Sequence, residues 1–230
     1  MLKCPVCGAE NSDLDVVCKS CKGFIQAKVD TLDLFSTAWG LLEQPRRTFR
    51  RIALAKSKNY VILLSAAIGV VIVYLYLWHW HMAVLIPSLV TLLGIGLIVG
   101  PPLGNLFVAL CAAAVGFILR VRGINLKFRN AFAILAYAGV PLIASLLLVM
   151  PLKIGIFGAY FFDINPPPIV INPVAYIGLI GLDALAGLWS VVLLVIGIKF
   201  AAGTPWVRSI IASAVVVGAA TVLVMGLRPV

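Results

Sequence analysis

Long apolar segments alternate with short polar ones along most of the chain, from Tyr60 onwards. A helix needs about 20 apolar residues to cross the hydrocarbon core of a bilayer, and five segments come close to or exceed that length. They predict five membrane-spanning helices, at Tyr60 to Trp78, Leu103 to Leu119, Ala131 to Met150, Tyr176 to Phe200, and Trp206 to about Leu227. We therefore expect an all-α polytopic membrane protein, with a five-helix transmembrane domain over residues 59–230.

The stretch from Met82 to Leu119 is ambiguous, because Gly100, Pro101, Pro102 and Gly104 interrupt its apolar pattern. Basic loops stay on the cytoplasmic side, and the loop that follows contains Arg120, Arg122, Lys127 and Arg129. An even number of crossings must precede that loop, so only Leu103 to Leu119 is expected to cross here. We expect Met82 to Gly100 to be interfacial, re-entrant or an outer lengthening of the helix, packed on the other spans.

Composition and charge agree with a membrane protein. Apolar residues make up 63% of the chain and charged residues 11%, far from the range of soluble proteins. The net charge of +10 does not indicate nucleic-acid binding, because basic residues gather just before the first span. They act as a topology signal or contact anionic lipid head groups or a protein partner: Arg46, Arg47, Arg50, Arg51, Lys56 and Lys58. The N-terminus is then cytoplasmic and the C-terminus outside, with only Lys153 and Arg228 as external basic residues.

Four cysteines form two Cys-x-x-Cys pairs near the N-terminus, at Cys4, Cys7, Cys18 and Cys21. Two such pairs separated by a short loop are typical of a tetrahedral four-thiolate Zn²⁺ site, in which each pair holds the metal from one tight turn. With all four ligands supplied, the site is expected to be structural. Two disulfides are the alternative, but they would place this end outside, against the basic residues that follow. We expect a zinc ribbon over residues 1–25, able to dock a partner or simply cap the chain.

Residues 30–58 are expected to form two cytoplasmic helices. The first runs from Asp30 to Glu43, with Asp30 or Thr31 as N-cap, and repeats apolar residues at Leu32, Phe35, Trp39 and Leu42. Pro45 ends it, and a basic helix, Arg46 to Lys56, leads to the membrane. The apolar face of the first helix is expected either to lie on the membrane surface or to pack on the transmembrane bundle.

Asp183 interrupts the fourth span, and a carboxylate within the bilayer is costly unless it is paired or functional. Small residues recur beside it at Gly178, Gly181, Ala184 and Gly187, a stripe that favours close approach of another helix. Depth along the predicted spans makes Ser145 and Asn105 its expected partners, with the backbone of the interrupted stretch as a third choice; Tyr137 is a further intramembrane polar residue. The cluster is expected to clasp helices together or to serve as a substrate or proton site.

The segment from Lys153 to Val174 follows the third span. It holds three consecutive prolines at residues 166–168 and a further Asn-Pro pair, so we expect a stiff external loop without helix.

Three segments carry a resemblance to a known family. They are LLEQPRRTFRRI before the first span, AFAILAYAGVPLIASLLL in the third and LDALAGLWSVVLLVIGIKFAAG in the fourth. In this order they resemble the Yip-domain (Ypt-interacting protein) family of five-span proteins, from about Leu32 to the C-terminus. The matching positions are Pro45, Phe49, Tyr137, Pro141, Asp183, Trp189 and Gly197.

The resemblance implies a fold shared with eukaryotic proteins of vesicle traffic, membrane shaping and binding of prenylated small GTPases. Fusion of a ribbon to the N-terminus resembles the arrangement in bacterial or archaeal members, which implies that this protein lies in a prokaryotic plasma membrane. A small GTPase partner is therefore implied by the family resemblance alone.

The residues indicate no enzyme, because the sequence has no nucleotide-binding loop, no nucleophile beside a histidine and no open metal site. We expect a membrane scaffold or adaptor that recruits a cytoplasmic or membrane protein partner or organises lipid. The alternative is a small transporter or lipid-handling channel that uses the interrupted segment 82–119 and Asp183.

Overall fold

The computed structural model describes residues 2–11, 15–23, 25, 31–121 and 123–226. A small hairpin pairs β1 (Leu2–Lys3) with β2 (Glu10–Asn11), Leu2 lying opposite Asn11. Nine α-helices follow within the described residues: α1 (Leu34–Glu43), α2 (Pro45–Leu54), α3 (Val61–His79), α4 (Leu89–Val121), α5 (Phe128–Ala138), α6 (Val140–Phe157), α7 (Pro168–Ile171), α8 (Pro173–Ala202) and α9 (Trp206–Met225). Short 3₁₀ helices occupy Met82–Val84 and Gly158–Phe162.

Five helical segments of the described chain are long and apolar enough to cross a membrane: α3, α4, the pair α5 and α6, α8 and α9. They confirm the predicted all-α polytopic membrane fold. Many of their large apolar side chains are exposed, including Ile98, Phe117 and Leu148, as expected for a surface that faces lipid.

The two ends of this bundle differ in charge. One end, which we call the basic end, holds the first residues of α3, α5 and α9, the last residues of α4 and α8, and helix α2. Its basic side chains are Arg46, Arg47, Arg50, Arg51, Lys56, Lys58, Arg120, Lys127, Arg129, Lys199 and Arg208; Arg122 and Arg228 lie outside the described residues. The fold therefore does gather these basic residues at one end of the bundle. That this end faces the cytoplasm stays a prediction.

Helix α3 and helix α4 approach each other closely where glycines face glycines. A Cβ atom added to Gly69 would lie 1.9 Å from the carbonyl oxygen of Gly100, and one added to Gly104 would lie 2.1 Å from that of Ser65. Contacts this short leave no room for any side chain, so the pair packs backbone against backbone. At the far end of the bundle Trp80 Nε1 donates to the carbonyl oxygen of Val224, at 2.9 Å, and ties the end of α3 to α9.

The interrupted stretch is a single helix, which corrects the interfacial and re-entrant alternatives. Helix α4 runs unbroken for 33 residues through Pro101 and Pro102. At 1.5 Å per residue it is about 50 Å long, so it extends well beyond a hydrocarbon core of about 30 Å. The lengthened helix is therefore the alternative that the structure adopts from Leu89 onwards, and its packing on α3 keeps the proline-containing turns helical.

The segment after the third span was wrongly predicted to be a loop without helix. Helix α6 continues to Phe157, so Lys153 lies inside a helix and is buried. Pro168 begins α7 and Pro173 begins α8, where Asn172 Oδ1 accepts the N–H of Ala175 at 3.1 Å. Proline is tolerated in the first turn of a helix because its missing N–H has no partner there. These prolines start helices and do not prevent them.

The small-residue stripe of α8 does not seat another helix. Cβ atoms added to Gly178, Gly181 and Gly187 would meet nothing within 4 Å. Close packing on α8 occurs instead near the basic end, where a Cβ on Gly197 would lie 2.6 Å from Ile134 and 2.9 Å from Phe49. The prediction of a packing surface beside Asp183 was therefore wrong, because spacing alone does not supply a partner helix.

Candidate functional site

The cysteine cluster brings the four predicted metal ligands together. The Sγ atoms of Cys4, Cys7, Cys18 and Cys21 all lie within 4.8 Å of one another, with 3.6 Å between Cys4 and Cys21 and 3.5 Å between Cys7 and Cys18. Zn–S bonds of about 2.3 Å in a tetrahedron place the sulfur atoms about 3.8 Å apart, so the cluster fits the ion. It therefore has the donor set of a closed structural site.

Hydrogen bonds and charge in the cluster favour a divalent cation. The N–H of Val6 donates to Cys4 Sγ and the N–H of Gly23 to Cys21 Sγ, both at 3.4 Å, as in the outer shell of a thiolate site. A backbone hydrogen bond from Cys21 lowers the pKa of Cys18 to about 6. Although the N–H of Gly23 favours a thiolate at Cys21, the neighbouring cysteines raise the pKa of Cys21 to about 12. Four thiolates this close repel one another, and a bound cation removes that conflict.

The two cysteine turns share one backbone conformation. Gly8 follows the first pair with φ of +70°, and Lys22 follows the second with φ of +62°. The sequence has lysine at the place where glycine suits this left-handed conformation, which costs an ordinary residue about 1–2 kcal/mol. Lys22 therefore adopts the turn at a cost that other interactions of the ribbon must offset.

Helices α1 and α2 form a platform at the basic end. Asp33, not Asp30 or Thr31, caps α1, its Oδ2 accepting the N–H of Ser36 at 2.7 Å; Asp30 lies outside the described residues. Leu41 is buried, whereas Phe35 and Trp39 are 78% and 55% exposed. With Leu42 they leave an apolar face without cover among the described residues.

The basic residues of α2 lie beside that face. An open groove between α1 and α2 is lined by Phe35, Trp39, Arg47 and Arg51, and Phe49 of α2 is buried on the opposite side of the helix. The guanidinium of Arg46 lies 5.6 Å from the Phe200 ring centre, and Lys199 Nζ lies 3.5 Å from that of Trp206. Aromatic rings paired with cations at a bundle end are typical of the membrane interface. The platform therefore has the composition of a surface at head-group level, and its contact with lipid stays a prediction.

Lys58 departs from the expectation of a head-group contact, because it is buried. Its Nζ donates to the carbonyl oxygen of Ile52 at 2.5 Å, in the last turn of α2. Burial, followed by the charge of Arg129, lowers the pKa of Lys58 to about 8. Arg129 donates to the carbonyl oxygen of Lys56 at 2.7 Å, and Tyr137 Oη donates to that of Asn59 at 2.8 Å. The predicted intramembrane residue Tyr137 thus helps fix the α2–α3 linker.

Asp183 forms a three-residue cluster across α6 and α8. Ser145 Oγ donates to one of its carboxylate oxygens and Lys153 Nζ to the other. The Lys153 side chain is 5% exposed and that of Asp183 37% exposed. Asn105 lies elsewhere, accepting from Ser65 Oγ at 2.5 Å across the α3–α4 contact. The sequence placed Ser145 beside Asp183 by depth but missed Lys153, because a lysine at the end of an apolar run is typical of a span boundary.

Two adjoining cavities open beside this cluster. The first, of about 330 Å³, lies between α3, α6 and α8 and is lined by Ser145, Lys153 and Asp183. The second, of about 390 Å³, continues towards α9 and is lined by Ser190. Both cavities share Val71, Leu75, Trp78, Leu142 and Gly187. They form one largely apolar groove within the membrane-spanning part.

Comparison with known proteins identifies the transmembrane part. The model of the Yip1 domain family matches residues 39–227, which include α2, the five spans and the Asp183 cluster but not the cysteine cluster. No curated protein and no solved structure matches the chain significantly. Because the match covers most of the chain, the protein belongs to the Yip1 domain family of integral membrane proteins.

Proposed function

We propose that this protein is a non-enzymatic membrane scaffold or adaptor. In this role the cysteine ribbon, loaded with Zn²⁺, and the α1–α2 platform are presented on the cytoplasmic side of a prokaryotic plasma membrane. They recruit a cytoplasmic or membrane protein partner or organise anionic lipid.

One observation carries the proposal: an uncovered aromatic face stands beside arginines at the basic end. Exposed apolar patches rimmed by polar residues mark interaction sites, and Phe35, Trp39 and Leu42 project beside Arg47 and Arg51. Trp and Arg are the residues most enriched among those that dominate binding energy at interfaces. The platform is also held rigidly, since buried Phe49 and Ile52 anchor α2 to the bundle. A rigid surface loses little entropy when a partner binds.

The ribbon supports recruitment more than catalysis. Its four thiolates leave no open position on a tetrahedral ion, so the metal has a folding role. A domain of this size cannot build a sizeable core, and the metal supplies the free energy that holds its surface in shape.

The experiment compares copurification from native membranes for three forms of the full chain. These are the wild type, a Phe35→Ser/Trp39→Ser variant and the control Phe128→Ser, which removes an exposed aromatic residue elsewhere at the basic end. After chemical crosslinking, mass spectrometry identifies bound proteins and lipids. We expect at least one stoichiometric protein, or enriched anionic lipid, to be lost from the platform variant alone. A small GTPase among the recovered proteins would extend the family resemblance to its partners. Equal recovery with all three forms would contradict a role for the platform.

A lipid-handling function is the second candidate, and the groove beside Asp183 favours it. The interrupted segment no longer supports this function, because α4 is continuous. The groove, in contrast, has in its apolar wall an ion pair and a hydroxyl, that of Ser190, without a partner among the described residues, which is the arrangement of a ligand site.

A further inference from the structure

The groove on α8 holds two polar positions on one helix face. Asp183 and Ser190 are seven residues apart, so they lie two turns and about 10.5 Å from each other along the axis. Gly187 lies between them and lines both cavities. A single elongated molecule can therefore contact both positions without crossing a side chain at residue 187.

Ser190 supplies a hydrogen-bonding group that the described protein leaves unused. Its side chain is 8% exposed, and its Oγ atom has no hydrogen-bond partner among the described residues. A buried hydroxyl without a partner costs about 1–3 kcal/mol, so it marks a position where a ligand or water completes the bonding. Its Oγ atom is closed to solvent, but the residue lines an apolar cavity, so rotation of the side chain about χ1 would bring the hydroxyl to a ligand carbonyl as the matching acceptor.

Asp183 offers the complementary group. A carboxylate accepts about four hydrogen bonds, and the described residues supply two, from Ser145 and Lys153. Its side chain is 37% exposed and lines the first cavity, so acceptor positions are open to a ligand there. The charges of Lys153 and Asp183 cancel, which disfavours an anionic or cationic head group. A neutral donor, a hydroxyl, satisfies this site.

Asp183 and Ser190 lie at different depths in the bundle. Asp183 is ten residues from the start of α8 at Pro173, and Ser190 lies two turns deeper. The groove then continues between apolar residues of α3 and α9, such as Leu75 and Val216. We propose that the groove binds one uncharged, hydroxyl-bearing acyl lipid, with its hydroxyl on Asp183, an acyl carbonyl on Ser190 and its chain towards α9.

The chemistry excludes close analogues of such a lipid. Phosphorylation of the hydroxyl would place an anion against Asp183, and acylation would remove the donor while keeping the chains. Dioleoylglycerol, dioleoyl phosphatidic acid and trioleoylglycerol therefore form a matched set of probes. Binding to the full-length protein in mixed micelles is measured by native mass spectrometry, over a range of lipid mole fractions.

We expect one dioleoylglycerol per chain. Trioleoylglycerol, which lacks the hydroxyl donor, and phosphatidic acid, whose phosphate places a negative charge against Asp183, should bind at least about tenfold more weakly. The Ser190→Ala variant removes no hydrogen bond that the described residues make and should weaken dioleoylglycerol binding about two- to tenfold. Gly187→Leu should abolish binding by filling the groove. Its matched control, Gly181→Leu, adds the same side chain to the same helix outside either cavity and should bind like the wild type.

Three results would overturn the proposal. The first is equal binding of trioleoylglycerol and dioleoylglycerol, which would indicate ordinary annular lipid. The second is preferential binding of phosphatidic acid. The third is unchanged binding in Ser190→Ala, and this variant keeps the test valid even when Gly187→Leu fails to fold.

Discussion

The pair formed by Lys153 and Asp183 allows a quantitative test of what holds α6 to α8. Replacing Asp183 by Asn leaves the Lys153 ammonium buried without an anion, a change that costs about 3–5 kcal/mol in protein interiors. The Phe161 ring, whose centre lies 4.9 Å from Lys153 Nζ, remains and offsets about 0.5–2 kcal/mol as a cation–π contact. We therefore expect Asp183→Asn to lower the free energy of unfolding by about 1–4.5 kcal/mol.

The reverse change should cost less. In Lys153→Met the remaining carboxylate is partly exposed and keeps the Ser145 hydrogen bond, so we expect a loss of about 1–3 kcal/mol. The double variant replaces the whole pair by uncharged groups and should lose only about 0–1 kcal/mol. Lys127→Met, at an exposed lysine of the basic end, controls for the loss of a cation.

Reversible unfolding by sodium dodecyl sulfate in mixed micelles, followed by helical circular dichroism, measures all four variants. The double-mutant cycle should give a coupling of at least about 1 kcal/mol. Additive effects, with the double variant losing the sum of the single losses, would refute an energetic role for the ion pair.

Three further predictions concern other parts of the fold. Gly104→Ala should destabilise the α3–α4 contact by about 1–3 kcal/mol in the same unfolding assay. Gly94→Ala is the control, because a Cβ atom there meets nothing within 4 Å, and it should be neutral or stabilising. Equal effects of the two variants would contradict the close approach of α3 and α4. Elemental analysis should find one Zn²⁺ per chain. The metal should be lost in Cys18→Ser and kept in Cys111→Ser, because Cys111 lies within α4. Metal retained by Cys18→Ser would refute the four-thiolate site. Burial lowers the pKa of Lys58 from 10.5 to about 8, so between these pH values the unfolded chain binds more protons than the folded protein. The free energy of unfolding should therefore rise with pH across that window, and the rise should disappear in Lys58→Met. An unchanged pH profile in this variant would count against the burial of Lys58 as a cation.

The sequence was sufficient where one local signal decides the outcome. Apolar length, together with the basic loop after Leu119, predicted the five spans, and cysteine spacing alone predicted that four sulfur atoms come together, because neither signal depends on a distant partner. The interruption in α4 shows the limit of such signals. Local rules treat Pro101 and Pro102 as a break, but the glycine contact with α3 decides the conformation, and that contact joins residues more than 30 positions apart.

The region of Asp183 shows the same limit for the candidate site. The glycine stripe on α8 has the spacing of a helix–helix contact, yet no helix packs closely on it. The spacing of small residues shows that another helix could approach there, but it does not show that one is present. Lys153 was assigned to the outside by its position after an apolar run. In the structure α6 continues past Met150, so Lys153 lies inside the helix and pairs with Asp183 of α8.

The bond from Trp80 to Val224 also bears on the order in which the protein is made. Helix α3 enters the membrane first, and the carbonyl group of Val224 is synthesised more than 140 residues later. Until α9 arrives, the Trp80 indole must keep its N–H at the wet interface, where amphipathic rings are stable. Helix α9 then closes against α3, so this edge of α3 stays uncovered until residues 206–225 have been made.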